Sequence, residues 1–225
     1  MIVGLIPVGG KGTRLGLFFP KEMLPQIGFD YYNPLINLTV TNMLETGVEK
    51  IYFIHGHTFK TEIADYYNTP NMIHITQRTL GFANVLADFH NSCPMLKSKD
   101  NVLFGLPDSV YSGNPFLDMV KQEGISCGLF NSNPEIKVDR LSVDGSCFQV
   151  KTTRNDSNQE YFWGVLKFSG KDIHNIIDNG MLDRYTEIGD ILNQYPRSYV
   201  YGGAYSDLGT WKSLNAYWSA GGSYD

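Results

Sequence analysis

The chain has 225 residues, 42% of them hydrophobic and 18% charged, and a formal charge of −5. That length supports one domain with a substantial core, and the composition is that of a globular protein. The mild acidic balance argues against general nucleic-acid binding, which shows as a basic stripe or patch. Three cysteines, Cys93, Cys127 and Cys147, occur without a Cys-x-x-Cys pair. They argue against a disulfide framework or a cysteine zinc site and fit a reducing compartment. No apolar run approaches the ~20 residues that a membrane-spanning helix needs. Met1 leads straight into a strand-like run without a basic leader. The expectation is a cytoplasmic protein with no membrane partner.

Residues 1–8, MIVGLIPV, predict a short buried strand that a glycine cluster ends. Asn33-Pro34 predicts a helix start with Pro at its first position, and the helix is expected to stop at Gly47. KIYFIHG follows as a strand. TFKTEIADYY reads as a helix capped by Thr58, with Glu62 near the capping-box position. MIHIT is a strand, GFANVLADFH a helix, and NVLFGL a buried strand that runs out at Pro107-Asp108. NPFLDMVKQEG is expected to be a helix and ISCGLF a strand. Strands and helices alternating in this way predict a parallel sheet with helices on both faces.

After Asn131 the pattern changes. DRLSV, CFQVKTT and YFWGVLKF are strand-like and predict a small antiparallel excursion. GKDIHNIIDNG and LDRYTEIGDILNQY return to helix, SYVYGGAYSDLGT is a strand and turn, and WKSLNAYWSA is a closing helix. No internal repeat or Pro-rich linker divides the chain, so residues 1–225 are expected to form a single domain.

The glycine cluster is the first candidate for chemistry. A Walker A loop requires G-x-x-x-x-G-K-[ST], but Leu5 stands where the first Gly belongs and Gly12 where Ser or Thr belongs. A dinucleotide fingerprint requires G-x-G-x-x-G, and Leu15 breaks it. What remains is Gly9, Gly10, Gly12, Thr13, Arg14 and Leu15, followed by Pro20, Lys21, Leu24 and Ile27. Glycines let backbone N–H groups approach phosphate oxygens. An Arg presents several donors in one planar fork, and a Lys adds a point charge.

This two-part pattern resembles the signature of the sugar-1-phosphate nucleotidyltransferases, the family that includes glucose-1-phosphate thymidylyltransferase. Further segments resemble the same family. TQRTLGFANVL is similar to its base-recognition segment, with Gln77 and Gly81 at the nucleobase; taken alone, Gln77 reads sooner as a solvated loop amide. NVLFGLPDSVY and AYSDLGTWKSL resemble the two segments that supply metal carboxylates, here Asp108 and Asp207. Each Asp also reads as a helix or turn cap. CFQVKTT aligns Lys151 with the family's sugar-phosphate lysine, though Val150 stands where the family carries an acid. YFWGVLKF aligns Gly164 with a residue lying against the sugar.

The resemblance implies an α/β fold of Rossmann-like, GT-A type: a mixed, mostly parallel sheet with helices on both faces. It implies transfer of a nucleotidyl group from a nucleoside triphosphate, dTTP or UTP by preference, to a sugar 1-phosphate. Mg²⁺ would be the cofactor. Arg14, Lys21 and Lys151 would be catalytic, and Gly9, Gly10, Gly12, Thr13, Gln77 and Gly81 would hold the nucleotide. The family is often oligomeric, which leaves a homo-oligomer open. Two other readings stay open: a cytidylyl- or uridylyltransferase acting on a non-sugar phosphate, and a catalytically silent nucleotide-binding regulatory subunit. A glycosyltransferase would need Asp-x-Asp, and Val110 excludes it after Asp108.

Overall fold

The computed structural model describes residues 1–10, 12–13, 15–79, 81–131, 138–142, 145–152 and 161–222, with the backbone alone at 151 and 152. In chain order the elements are β1 Ile2–Pro7, α1 Asn37–Glu45, β2 Lys50–His55, α2 Thr61–Tyr66, β3 Met72–Thr76, α3 Val85–Ser92 and β4 Asn101–Gly105. Then come β5 Ser109–Tyr111, α4 Phe116–Met119, β6 Ile125–Asn131, β7 Val138–Leu141, β8 Phe148–Thr152 and β9 Tyr161–Ser169. The chain closes with α5 Gly170–Asp178, α6 Met181–Arg184, α7 Ile188–Leu192, β10 Arg197–Tyr201, β11 Tyr205–Asp207 and α8 Trp211–Ser219.

The main sheet runs β10-β6-β9-β4-β1-β2-β3, with β7 and β8 attached beside β9. Strands β3, β2, β1 and β4 are mutually parallel, as are β10 and β6. Side chains of β1 alternate between the two faces: Val3 and Leu5 pack with Phe89 of α3 and Ile173 of α5, and Ile6 packs with Val40 and Met43 of α1. Burial on both faces explains why β1 reads as an unbroken apolar run. The chain leaves β1 toward β2 on one side and returns to β4 on the other. The crevice at a carboxyl edge where strand order reverses is where open α/β sheets bind ligands. Gly9-Gly10 and Pro107-Asp108 follow the two strands that flank it.

The expected antiparallel excursion has a larger role than its sequence suggested. β9 sits in the middle of the main sheet, antiparallel to both β4 and β6. Its Phe162, Val165, Leu166 and Phe168 are buried. Its one charged residue, Lys167, is also buried and donates to the carbonyls of Gln122 at 2.6 Å and Gly124 at 2.9 Å. Those acceptors are what make a lysine tolerable inside a sheet. The Trp163 indole donates to Asp139 at 3.0 Å, and the Gly189 N–H donates to the same carboxylate at 3.2 Å, tying β7 and α7 to β9.

Several helix starts differ from the sequence reading. α1 begins at Asn37 because Pro34 is drawn into an extended bridge with Pro25, held by the Gln26 side chain on the Pro34 carbonyl at 2.9 Å. α2 begins at Thr61, and Thr58 caps nothing; the N-cap is Lys60, whose N–H is held by a histidine ring instead. α3 begins at Val85, after a turn led by Gly81 at φ +109°. α4 is a single turn. The helix expected after Gly180 is split into α6 and α7 by an extended Glu187. α5 starts where Ser169 and Asp172 form a capping box, a feature typically worth ~1 kcal/mol.

Strands β2 and β3 carry a relay of imidazoles beneath the sheet edge. The Lys60 N–H donates to His55 Nδ1 at 3.1 Å, so the His55 proton sits on Nε2 and faces His74 Nδ1 at 3.0 Å. His74 then directs its own N–H at the Tyr67 carbonyl, 3.4 Å away. The arrangement needs both rings neutral. Burial, with His74 and Lys60 close by, lowers the His55 pKa from its ordinary 6.5 to about 4. An unfolded imidazole therefore takes up a proton over that interval while the folded one resists. Stability from this site is present above pH 6.5 and is lost as pH falls toward 4. Urea unfolding across this range should show that decline, and His55→Asn should show a shallower one.

Where β1 and β2 leave the sheet, their backbones touch. A Cβ on Gly56 would lie 2.9 Å from the Gly9 carbonyl oxygen, and one on Gly9 would lie 3.1 Å from Gly56 Cα. The neighbouring atoms are backbone, with no side chain to move aside. Gly56→Ala should destabilise the protein by ~1–3 kcal/mol, the usual range for overpacking. A lower denaturant midpoint at unchanged slope would report it.

Candidate active site

The glycine cluster leaves β1 as a loop rather than a helix. Gly12 and Gly16 both adopt φ +64°, in the left-handed region that glycine enters without penalty. Leu15 N–H donates to the Gly12 carbonyl at 2.9 Å and Gly16 N–H to that of Thr13 at 3.2 Å, folding the loop on itself. The Trp211 indole of α8 holds the Leu15 carbonyl at 3.0 Å. The expectation for Arg14 lies outside the described residues.

A single 3-10 turn, Lys21–Met23, follows Pro20. It points Lys21 at the end of β4, where its ammonium pairs with the Asp108 carboxylate. The other carboxylate arrives by a small antiparallel ladder that the sequence did not announce. β11 pairs with β5 so that Asp207 lies opposite Ser109, and the Leu208 N–H donates to the Asp108 carbonyl at 2.9 Å. Asp108 and Asp207, 99 residues apart, are thus brought to neighbouring strand ends, and both act on the charge of Lys21. Neither is a helix cap: α8 is capped by Thr210, which forms a capping box with Ser213. Asp207 accepts the Gly209 N–H at 2.6 Å.

Burial works against the Lys21 ammonium, but Asp108, Glu22 and Asp207 outweigh it and raise its pKa above the ordinary value. Glu22 lies on the far side of the same turn and is buried. Burial pushes its carboxyl upward, and the Lys60 ammonium, at 3.0 and 2.9 Å, pulls it back. Lys60 and Glu22 carry no motif and were missed in the sequence. The available signals were a Lys just past a strand that ends at the carboxyl edge and a Glu inside the apolar turn KEM.

Lys21, Glu22, Lys60 and Asp108 line one cleft of about 810 Å³ at the carboxyl edge of the sheet. Gly9, Gly10, Lys21, Gln77, Gly81 and Asp108 all contribute to its wall. The volume lies within the range of small-molecule sites, ~300–1,000 Å³. On its far side Gln77 donates from Nε2 to the Gly81 carbonyl at 2.8 Å, which turns the amide oxygen away from Gly81. Asp88 supports that segment by accepting the Arg78 N–H at 3.2 Å.

Of the expected residues that are described, Gly12, Thr13, Asp207 and Gly164 are not part of its wall. Gly164 lies in β9, and the space where its side chain would stand is filled by the rings of Phe130 and Tyr205. Its lack of a side chain serves ring packing, and it is not part of the cleft wall. Lys151 lies in β8, and its side chain is outside the described residues.

Among the described residues no group of three or more His, Cys, Asp or Glu could hold a metal ion by itself. Two carboxylates suit a hard divalent cation that takes its other oxygens from phosphate and water, so the donor set fits Mg²⁺. Among the described residues, no helix is long and apolar enough to cross a membrane.

No protein-family model matches the sequence, and no curated protein matches it significantly. Solved structures do match. A protein assigned as a glucose-1-phosphate thymidylyltransferase of Bacillus anthracis, in complex with a sucrose, superposes with a TM-score of 0.75 at 19% identity, covering 100% of this chain and 97% of that one. UDP-glucose pyrophosphorylase of Acinetobacter baumannii gives a TM-score of 0.71 at 16% identity over 96% of this chain and 93% of that one. A UTP-bound structure of the enzyme from the same organism gives 0.70 at 15% identity over 98% and 94%. Both activities named are sugar-1-phosphate nucleotidyl transfers, and at these identities what this chain shares with those structures is their Rossmann-like fold.

Proposed function

We propose that this chain is a nucleotidyltransferase that moves a nucleotidyl group from a nucleoside triphosphate, UTP or dTTP by preference, to a sugar 1-phosphate. The observation that carries this reading is the pairing of Lys21 with Asp108 on the wall of a glycine-lined cleft, with Asp207 near enough to act on the Lys21 charge. A sugar-phosphate oxygen attacks the α-phosphorus of the triphosphate, the bond from that phosphorus to the bridging oxygen breaks, and pyrophosphate leaves. The attacking oxygen is already anionic at neutral pH, so no general base is needed. Rate then comes from positioning and charge neutralisation.

Gly10, Gly12 and Thr13 cradle the phosphates, and Gln77 and Gly81 face the base. Lys21 neutralises charge at the reacting phosphorus. Arg14 stabilises the departing pyrophosphate, and Lys151 docks the incoming phosphate. Asp108 and Asp207 would hold Mg²⁺, which when bound supplies charge neutralisation on the α-phosphate oxygens. The likeness of fold to a thymidylyltransferase and to a UTP-bound pyrophosphorylase supports the choice of donor.

Pyrophosphate release, measured with Mg²⁺ over a grid of nucleoside triphosphates and sugar 1-phosphates, should give one strong combination. Silence across the grid, with a triphosphate still bound, would turn the reading toward a non-sugar phosphate acceptor. Asp108→Asn should lower turnover more than ~100-fold, as loss of a group that stabilises transition-state charge does, and should retain a cooperative melt. Turnover equal to wild type would remove Asp108 from the chemistry. Lys21→Ala should lose kcat on a similar scale, with a smaller change in KM for the acceptor.

A further inference from the structure

The cleft holds a cation that none of these roles uses. Lys60 lies between β2 and α2, and its Nζ donates to the Gly10 carbonyl at 2.7 Å and to the two Glu22 carboxylate oxygens at 3.0 and 2.9 Å. Its side chain is 12% exposed and that of Glu22 is 1% exposed. An ammonium has three N–H donors, and here three acceptors take them. The backbone N–H of the same residue is held by His55. Lys60 is therefore fixed at both ends, and its charge is spent within the protein.

Both partners of Lys60 matter to an anionic ligand. Gly10 has no side chain to fix its peptide plane, and a carbonyl oxygen turned into the cleft would repel a phosphate. The ammonium pins that oxygen and offsets its partial negative charge. Glu22 adjoins Lys21 in the chain and acts on its ammonium together with Asp108. A carboxylate this buried and left unpaired would compete with Asp108 for Lys21, because a buried charge without a partner is strongly unfavourable.

We propose that Lys60 is the positioning residue of the phosphate-facing loop: it pins the Gly10 carbonyl and cancels Glu22, leaving Lys21 on Asp108. The proposal rests on the reading of this cleft as a triphosphate site.

The test compares wild type, Lys60→Met and Lys60→Met/Glu22→Gln. Three quantities are read: UTP and dTTP dissociation constants with Mg²⁺, KM for the acceptor phosphate, and amide hydrogen exchange across residues 8–16 without ligand. Lys60→Met should weaken triphosphate binding by at least ~10-fold, in line with an orphaned buried charge. The acceptor KM should stay within ~2-fold, because the lost contacts lie on the triphosphate side, and exchange across the loop should quicken. Adding Glu22→Gln should recover part of the lost affinity, since it removes the stranded charge but does not restore the pin. Wild-type affinity and exchange in Lys60→Met would overturn the proposal. So would a double variant that binds no better than the single one, which would make Lys60 a direct phosphate ligand. If the wild type binds neither triphosphate, the functional reading fails, and exchange alone judges Lys60: an unchanged rate overturns its role. If Lys60→Met does not fold, the double variant, which leaves no stranded charge, carries the exchange measurement.

Discussion

Three carboxylates, Glu22, Asp108 and Asp207, converge at the carboxyl edge of the sheet, and their charge has to be balanced where water is scarce. Two lysines answer two of them: Lys21 pairs with Asp108 and Lys60 with Glu22. Separation of these pairs would strand charge in a low-dielectric wall, which costs several kcal/mol in typical proteins. The balance thereby constrains the segments that carry the charges. The 3-10 turn after Pro20, the loop after β2 and the strand end at Asp108 must stay together, and the glycine loop is held among them through Gly10.

The sheet makes this convergence possible. Strand order reverses between β1 and β4, so the segments leaving these two strands diverge and leave a crevice between them. β9, seated antiparallel between β4 and β6, joins the β10–β6 pair to the rest of the sheet. The chain end that follows β10 can then return over β5 and set Asp207 against Ser109. The aromatic rings of Tyr111, Phe130, Phe162 and Tyr205 pack beneath this ladder, with centroids 4.7–6.3 Å apart. The space left open at Gly164 belongs to that packing.

α8 has a comparable part. Its two indoles, Trp211 and Trp218, hold the carbonyls of Leu15 and Pro25, each at 3.0 Å. The last helix of the chain thus clasps the loop that follows the first strand. The glycines in that loop supply conformational freedom, and the indoles and Lys60 limit it. In the proposed function, this loop can receive a phosphate well only if its backbone is held in one arrangement before the ligand arrives.

The sequence by itself determined the local features. Apolar runs marked β1, β2, β3, β4 and β6; GKDIHNIIDNG marked α5; the glycine cluster and Lys21 stood out as groups suited to phosphate, and the resemblance added Asp108 and Asp207 as metal carboxylates. These are properties of neighbouring residues, and short-range sterics and burial set them. The tertiary structure decided the rest. The central place of β9 depended on which strands could pair with both its edges. The start of α2 depended on a histidine from β2 taking the Lys60 N–H. The removal of Gly164 from the cleft depended on rings from β6 and β11. The pairings of Lys60 with Gly10 and Glu22 span 50 and 38 positions in the chain. No local pattern encodes contacts at such separations. They form because the fold brings these polar groups together where burial makes an unpaired charge costly.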